Sequence, residues 1–277
     1  MSALNISQAF SVKDKVIAIT GGTGILGSEI GCTLAENGAK VIFLDLNPEL
    51  PAGILERLDK AQAEYMVLKC NVLEKDSIQA ALDDILSAFG KTDVLINGAG
   101  GNHPKATTGP DLPFFDIAPQ TFNRVVELNL AGTVLPSQIF GRYFARNKSG
   151  VIINISSMNA FRPLTRIPAY SAAKAAVSNF TQWLSTHLAQ EYSADIRVNA
   201  IAPGFFMTKQ NRYLLIDEKT GELTERGKQI LAHTPAGRFG DPQDLISTIV
   251  WLISPASSFV TGIVVPIDGG FSAFSGV

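Results

Sequence analysis

Lys15-Val16-Ile17-Ala18-Ile19-Thr20-Gly21-Gly22-Thr23-Gly24-Ile25-Leu26-Gly27 reads as a strand, a tight turn and the start of a helix. The run from Val16 to Thr20 is apolar and β-branched without alternation, the pattern of a strand covered on both faces. The helix that follows stops at Asn37-Gly38, a good C-terminal signal. Val41-Ile42-Phe43-Leu44-Asp45 is the next strand. Gly22-x-Gly24-x-x-Gly27 therefore sits between a strand and a helix, and Asp45 follows 18 residues beyond Gly27. In that context the glycines form a dinucleotide fingerprint. They let the backbone approach a pyrophosphate, and the helix N-terminus offers N–H groups and positive dipole. Asp45 is placed to accept hydrogen bonds from a ribose. The cleft-forming residues expected here are Gly21, Thr23, Gly24, Ile25, Leu26, Gly27, Asp45 and Leu46. The competing reading is a tight βα turn that binds nothing.

Outward from this unit the alternation continues. A helix is expected over about 52 to 62, a strand over Tyr65 to Cys70, and a helix from Asp76 to Phe89. Asp93 to Asn97 is a fourth strand, closed by Gly98-Ala99-Gly100-Gly101. Residues 101 to 118 are irregular and proline-rich, and one long helix is predicted over about 120 to 146. Val151 to Ile155 is a strand, about 168 to 191 a helix, Ile196 to Ile201 a strand. A helix from Asp241 to about Ile253 and a strand from Ile263 to Ile267 complete the chain. Residues 1 to 14 read as a short polar lead-in. Strand and helix alternate about seven times, which predicts a Rossmann-type doubly wound seven-stranded parallel sheet. One domain over 1–277 is expected, with a substrate-loop insertion at about 205–240 above the strands' C-terminal edge, where such folds bind ligands.

The chain has 277 residues, 46% hydrophobic and 17% charged, with net charge −2. No basic stripe suggests nucleic acid or an anionic membrane. The apolar runs fall far short of the ~20 residues that span a bilayer. The N-terminus lacks a signal-peptide pattern, so a cytoplasmic location is expected. Cys32 and Cys70 give neither a disulfide framework nor metal spacing. His103, His187 and His233 form no metal-ligand pattern, and no metal is expected.

Chemistry concentrates between Asn154 and Lys174. A strand ends in Ser156-Ser157, a loop with two prolines follows, and Tyr170 and Lys174 share a helix face four residues apart. An ammonium beside a phenol favours the phenolate, which predicts a lowered Tyr170 pKa and a tyrosine usable for proton transfer. A surface Tyr/Lys pair is the plainer alternative. Asn97, Gly98 and Ala99 could let a ribose pass close to the backbone or form a plain turn. Asn71 and Val72 follow the third strand, where Asn71 could meet an adenine edge or serve the turn. Asn129 is a polar residue within an apolar helical pattern. Pro203, Gly204, Phe206 and Thr208 follow the sixth strand, at a position that favours contact with a nicotinamide.

Together these stretches resemble the short-chain dehydrogenase/reductase family over essentially the whole chain. Ser157 lies thirteen residues before Tyr170, the offset of that family's serine, which selects it over Ser156. The resemblance implies a catalytic tetrad of Asn129, Ser157, Tyr170 and Lys174 and NAD as cofactor. In it Tyr170 moves the proton, Lys174 lowers the tyrosine pKa and holds the nicotinamide ribose, Ser157 bonds the substrate oxygen, and Asn129 anchors a water in a relay. Three departures stand out: Ile25 where the family loop has its middle glycine, Gly98 where it has a second asparagine, and Asn71 where it has an acid. Gly21-Gly-Thr-Gly-Ile-Leu-Gly27, Ser157 to Arg166 and Phe271 to Val277 further resemble the D-mannonate oxidoreductases (fructuronate reductases) of the short-chain type, with gluconate 5-dehydrogenases as neighbours.

That branch implies a small sugar-acid substrate and a homo-oligomer, tetramer or dimer, with the helix bearing Phe180, Trp183, Leu184 and Leu188 partly in an interface. The expected pocket loops carry Asn102, His103, Lys105, Asn159, Arg162, Arg166, Lys209 and Arg212. Such amides and cations suit hydroxyls and a carboxylate, whereas a steroid or acyl site would be mainly apolar. A polyol substrate, or a regulator that binds NAD without catalysis, are the alternatives.

Overall fold

Seven parallel strands form one sheet in the order β3-β2-β1-β4-β5-β6-β7. The structure is a computed structural model describing residues 5–207, 215–217 and 220–276. The strands are β1 (Val16–Thr20), β2 (Lys40–Asp45), β3 (Tyr65–Lys69), β4 (Val94–Asn97), β5 (Gly150–Ile155), β6 (Ile196–Pro203) and β7 (Val264–Ile267). The helices that cross between them are α2 (Ile25–Glu36), α3 (Ala52–Lys60), α4 (Lys75–Phe89), α5 (Pro119–Val126), α6 (Gly132–Asn147) and α7 (Pro168–Glu191). Near the C-terminus lie α8 (Glu225–Ala232) and α9 (Ile246–Ile253).

Both faces of the sheet are covered, which is why its central strands are apolar without alternation. Ile17, Ile19, Val41 and Phe43 pack with Ile30, Leu58 and Ile249 on one face. Val16, Ala18, Ile42 and Leu95 pack with Ile85, Phe140 and Leu188 on the other. The strand order reverses at β1, whose neighbours are β2 and β4. The loops there diverge and leave a crevice at the strands' C-terminal ends.

Three expectations needed correction. The lead-in contains a short helix, α1 (Ile6–Ala9), capped by the Asn5 side chain, and it buries Ala9 and Val12. The expected helix over 120–146 is continuous from 119 to 147, but residues Glu127–Ala131 form a π-turn that divides it into α5 and α6. Residues 242–245 form a 3₁₀ turn before α9, fixed by a capping box between Asp241 and Asp244. Among the described residues no helix is long and apolar enough to cross a membrane.

Candidate active site

The crevice at the β1/β4 switch is a cleft of about 510 Å³. Its floor is the loop after β1. Gly21 has φ +65°, and a Cβ there would lie 2.8 Å from the Ala99 backbone; a side chain is excluded by conformation and by space alike. Thr20 ties the two loops together, since its hydroxyl accepts from the Gly98 and Ala99 N–H groups at 3.1 and 3.3 Å. Gly24 caps α2 and its N–H donates to the Gly21 carbonyl. Ile25, at the family's glycine position, starts α2 and lines the cleft with Thr23, Leu26 and Gly27.

Asp45 ends β2 at the cleft's rim, with the exposed Leu46 beside it. One Asp45 oxygen accepts from the Thr23 N–H at 3.2 Å and the other from Asn47 N–H at 3.3 Å. The carboxylate is thus held at the open end of the glycine loop. Arg57, the one cation between 41 and 59, faces away and is committed to Glu29 and Glu36 at 2.6 and 2.8 Å.

Asn71 and Val72 line the opposite wall with Gly98 and Ala99. The Asn71 amide caps its own turn, donating to Glu74 and accepting from Leu73 N–H. Cys70, Gly100, Gly101, Leu128 and Ile155 also line the cleft. Of these only Gly100 belongs to a stretch that the sequence marked; the others are small or apolar and carry no local signal. Cys70 and Cys32 are buried thiols, each pushed up to about 11 by loss of solvation.

Tyr170 and Lys174 stand at the inner end of the cleft. Lys174 is only 4% exposed; its Nζ donates to the Ile155 carbonyl at 2.7 Å and lies 5.6 Å from the Tyr170 ring centre. The expected lowering of the tyrosine pKa is reversed here. Burial pushes the phenol above its ordinary value, and the nearby Ser157 hydroxyl pulls it down less. Burial also lowers Lys174 to about 8. The charged form of each group loses solvation, and at this separation their mutual attraction does not restore it. Ser157 ends the strand-five segment and accepts from the Asn159 N–H at 3.3 Å.

Asn129 is fully buried inside the π-turn. Within the helix Asn129 takes the Val125 carbonyl, and its remaining amide bonds go to the loop after β4. Its Nδ2 donates to the Gly101 and Val125 carbonyls at 2.7 and 2.8 Å, and its Oδ1 accepts from the Gly101 N–H at 3.1 Å. Its amide therefore fixes the glycine loop directly. A Cβ on Gly100 would lie 2.6 Å from that Oδ1 and 3.3 Å from the Lys174 ammonium. Glycine keeps the gap between them open.

Several predicted residues fall outside the cleft. Asn97 is buried beneath it, where its Nδ2 donates to Asn154 and Ser137 at 2.8 and 2.9 Å. Asn154 continues the chain to Thr181 on α7 at 2.9 Å. Alternation along β4 turns this side chain into the layer below. Pro203 and Gly204 are held against β7 and Asp268, and Phe206 packs into the core beside Gly240. Thr208, Lys209 and Arg212 lie outside the described residues. Asn102 bonds Thr107, and His103 caps a 3₁₀ turn by accepting from Lys105 N–H. Asn159 is buried with its Oδ1 unpartnered. Arg162 donates to the Ser272 carbonyl, and Arg166 is exposed, its carbonyl bonded to Thr108.

A glycine-lined floor, the Asp45 carboxylate and the Tyr170/Lys174 pair share one crevice. The family model described as enoyl-(acyl carrier protein) reductase, of the short-chain dehydrogenase type, matches residues 23–272. The chain belongs to the short-chain dehydrogenase/reductase family. The uncharacterized oxidoreductase UxuB of Bacillus subtilis is 46% identical over 272 residues, 95% of this chain and 96% of its own length. A crystal structure from Haemophilus influenzae, provisionally named a D-mannonate oxidoreductase and holding NAD, superposes with TM-score 0.89 at 43% identity. The match covers 99% of this chain and all of that one. The 5-keto-D-gluconate 5-reductase of Escherichia coli K12 is 35% identical, covering 96% of this chain and 98% of its own. The chain is accordingly an oxidoreductase of this family.

Proposed function

We propose that the protein is an NAD-dependent oxidoreductase interconverting a keto-sugar acid and its hydroxy acid, with D-fructuronate and D-mannonate as the first pair. The observation that carries this reading is the placement of Tyr170 beside Lys174, whose Nζ lies 5.6 Å from the ring centre, at the end of the glycine-lined cleft. When bound, the nicotinamide exchanges a hydride with the substrate carbon. The glycine loop and α2 N-terminus hold the pyrophosphate, and Asp45 takes the adenosine ribose hydroxyls. Ser157 bonds the substrate oxygen. Tyr170 gives that oxygen a proton in reduction and takes one in oxidation. Lys174 stabilises the phenolate so formed and holds the nicotinamide ribose. Asn129 sets the loop that borders Lys174, and the opening at Gly100 leaves room for a water that refills the proton.

The D-mannonate name of the Haemophilus structure and the sugar-acid name of the Escherichia relative support the substrate class. The latter favours 5-keto-D-gluconate as a second candidate. Residues 205–240 act as the substrate-side insertion on a single domain. Association into a dimer or tetramer in the cytoplasm belongs to the same reading. Leu184 and Leu188 are in the core, but Trp183 is 57% exposed, stacked between Phe180 and His187 on α7. A screen of keto-sugar acids, polyols and steroids that follows NADH absorbance tests the proposal. It is upheld by turnover confined to the sugar acids and overturned by turnover elsewhere or by none.

A further inference from the structure

A second cavity, of about 570 Å³, lies along the segment that joins Ser157 to Tyr170. Arg162 lines it from that segment and Arg226 from the first turn of α8. Phe205, His233, Phe271 and Phe274 supply its aromatic wall. Among the described residues no aspartate or glutamate lines it. Sequence reasoning did not single out Arg226, which lies in a polar helix more than fifty residues past the tyrosine.

Arg226 is half-buried and, among the described residues, makes no hydrogen bond or ion pair. Among the described residues the other sheltered arginines, Arg57 and Arg197, are engaged. Arg57 is paired with two glutamates, and Arg197 donates to Leu252, Ser254, Ser257 and Val260. Glu225, the acid adjacent to Arg226, is taken by Lys228 at 3.0 Å. Arg166 adds a like charge that, with burial, lowers the Arg226 pKa. Arg162 commits only its Nε, to Ser272. A sheltered guanidinium with like charges around it and no acid is unfavourable unless an anion completes it.

We infer that this cavity is the binding site for the carboxylate of the substrate, with Arg226 as the anchoring residue and Arg162 beside it. The inference rests on the keto-sugar-acid reading above. The planar fork of a guanidinium matches a carboxylate through two parallel hydrogen bonds. The aromatic wall lowers the local polarity beside the guanidinium, which strengthens such a pair. The segment 157–170 has the Ser157 and Tyr170 hydroxyls at its ends and Arg162 between them. A linear acid can therefore place its carbonyl at the hydroxyls and its far carboxylate in the cavity. Gln229 and Thr165 are available for hydroxyls.

The test compares wild type, Arg226→Gln and Arg226→Lys on D-fructuronate and on D-fructose, which has the same chain without the carboxylate. NADH affinity and melting temperature are measured on the same samples. Arg226→Gln is expected to lower kcat/KM on D-fructuronate at least about thirty-fold, through KM more than kcat. D-fructose turnover, NADH affinity and melting temperature should hold, and Arg226→Lys should recover part of the loss, keeping the charge but not the fork. An unchanged kcat/KM on the acid, or an equal fall on acid and ketose, overturns the inference while leaving the sugar-acid reading intact. Wild type inactive on D-fructuronate, 5-keto-D-gluconate and other keto-sugar acids overturns that reading and the inference with it.

Discussion

The glycine-lined cleft and the arginine-bearing cavity share the segment 157–170, yet they are assembled differently. The cleft is made largely of backbone. Gly21 to Gly27, Gly98 to Gly101 and the α2 N-terminus present N–H groups and close-approach surfaces, and Asp45 adds one charge. The cavity is made of side chains from four separate stretches, 162–165, 205, 226–233 and 271–275. The first can take a cofactor common to many reactions. The second is where one substrate is told from another.

The largest effect should come where the two regions meet. Tyr170→Phe removes one hydroxyl and keeps the ring. It should lower kcat by about 10²–10⁴-fold and leave NADH affinity near wild type by fluorescence titration. Near wild-type turnover would place the proton transfer elsewhere.

Lys174 offers a test of burial itself. Its pKa is lowered from 10.5 to about 8, so between those values the folded state binds fewer protons than the unfolded one. Stability contributed through this group therefore rises with pH across that window, and the full cost of burying the charge is present below about 8. Lys174→Met never carries the charge. Its stability relative to wild type should grow as pH falls from 10.5 to about 8, by at most about 3 kcal/mol, and then level off. A pH-independent difference by denaturant titration would contradict the burial argument.

A buried asparagine sharpens the contrast. Asn97→Ala should cost about 1–3 kcal/mol of folding stability, since Asn154 and Ser137 lose a donor, with NADH affinity little changed. A large loss of affinity with stability intact would return Asn97 to the cleft. Asp45 gives the smallest effect. A carboxylate facing a 2′-phosphate, with Arg57 already paired, should make NAD better than NADP by at least about tenfold in kcat/KM. Equal efficiency with both would remove Asp45 from the ribose.

The same contrast explains what could be read in advance. The sheet was legible because buried parallel strands are continuous apolar runs, and the alternation with helices left one topology class. Gly21, Asp45, Tyr170 and Lys174 were legible because their motifs are local. Asn97 and Asn129 look alike in sequence, and only strand alternation and the π-turn send one into the core and the other to the loop beside Lys174. The π-turn itself has no periodic signal in Glu127-Leu128-Asn129-Leu130-Ala131. The Tyr170 and Lys174 pKa values depend on burial, which four-residue spacing does not report. Arg226 was invisible because its unmatched charge is a property of what surrounds it in space.

Steady-state kinetics of the wild-type protein with NADH on D-fructuronate, 5-keto-D-gluconate and D-fructose test the central claim most directly. The account predicts that one of the two acids exceeds D-fructose in kcat/KM by at least about thirty-fold. Equal kcat/KM for the acids and the neutral ketose would contradict it.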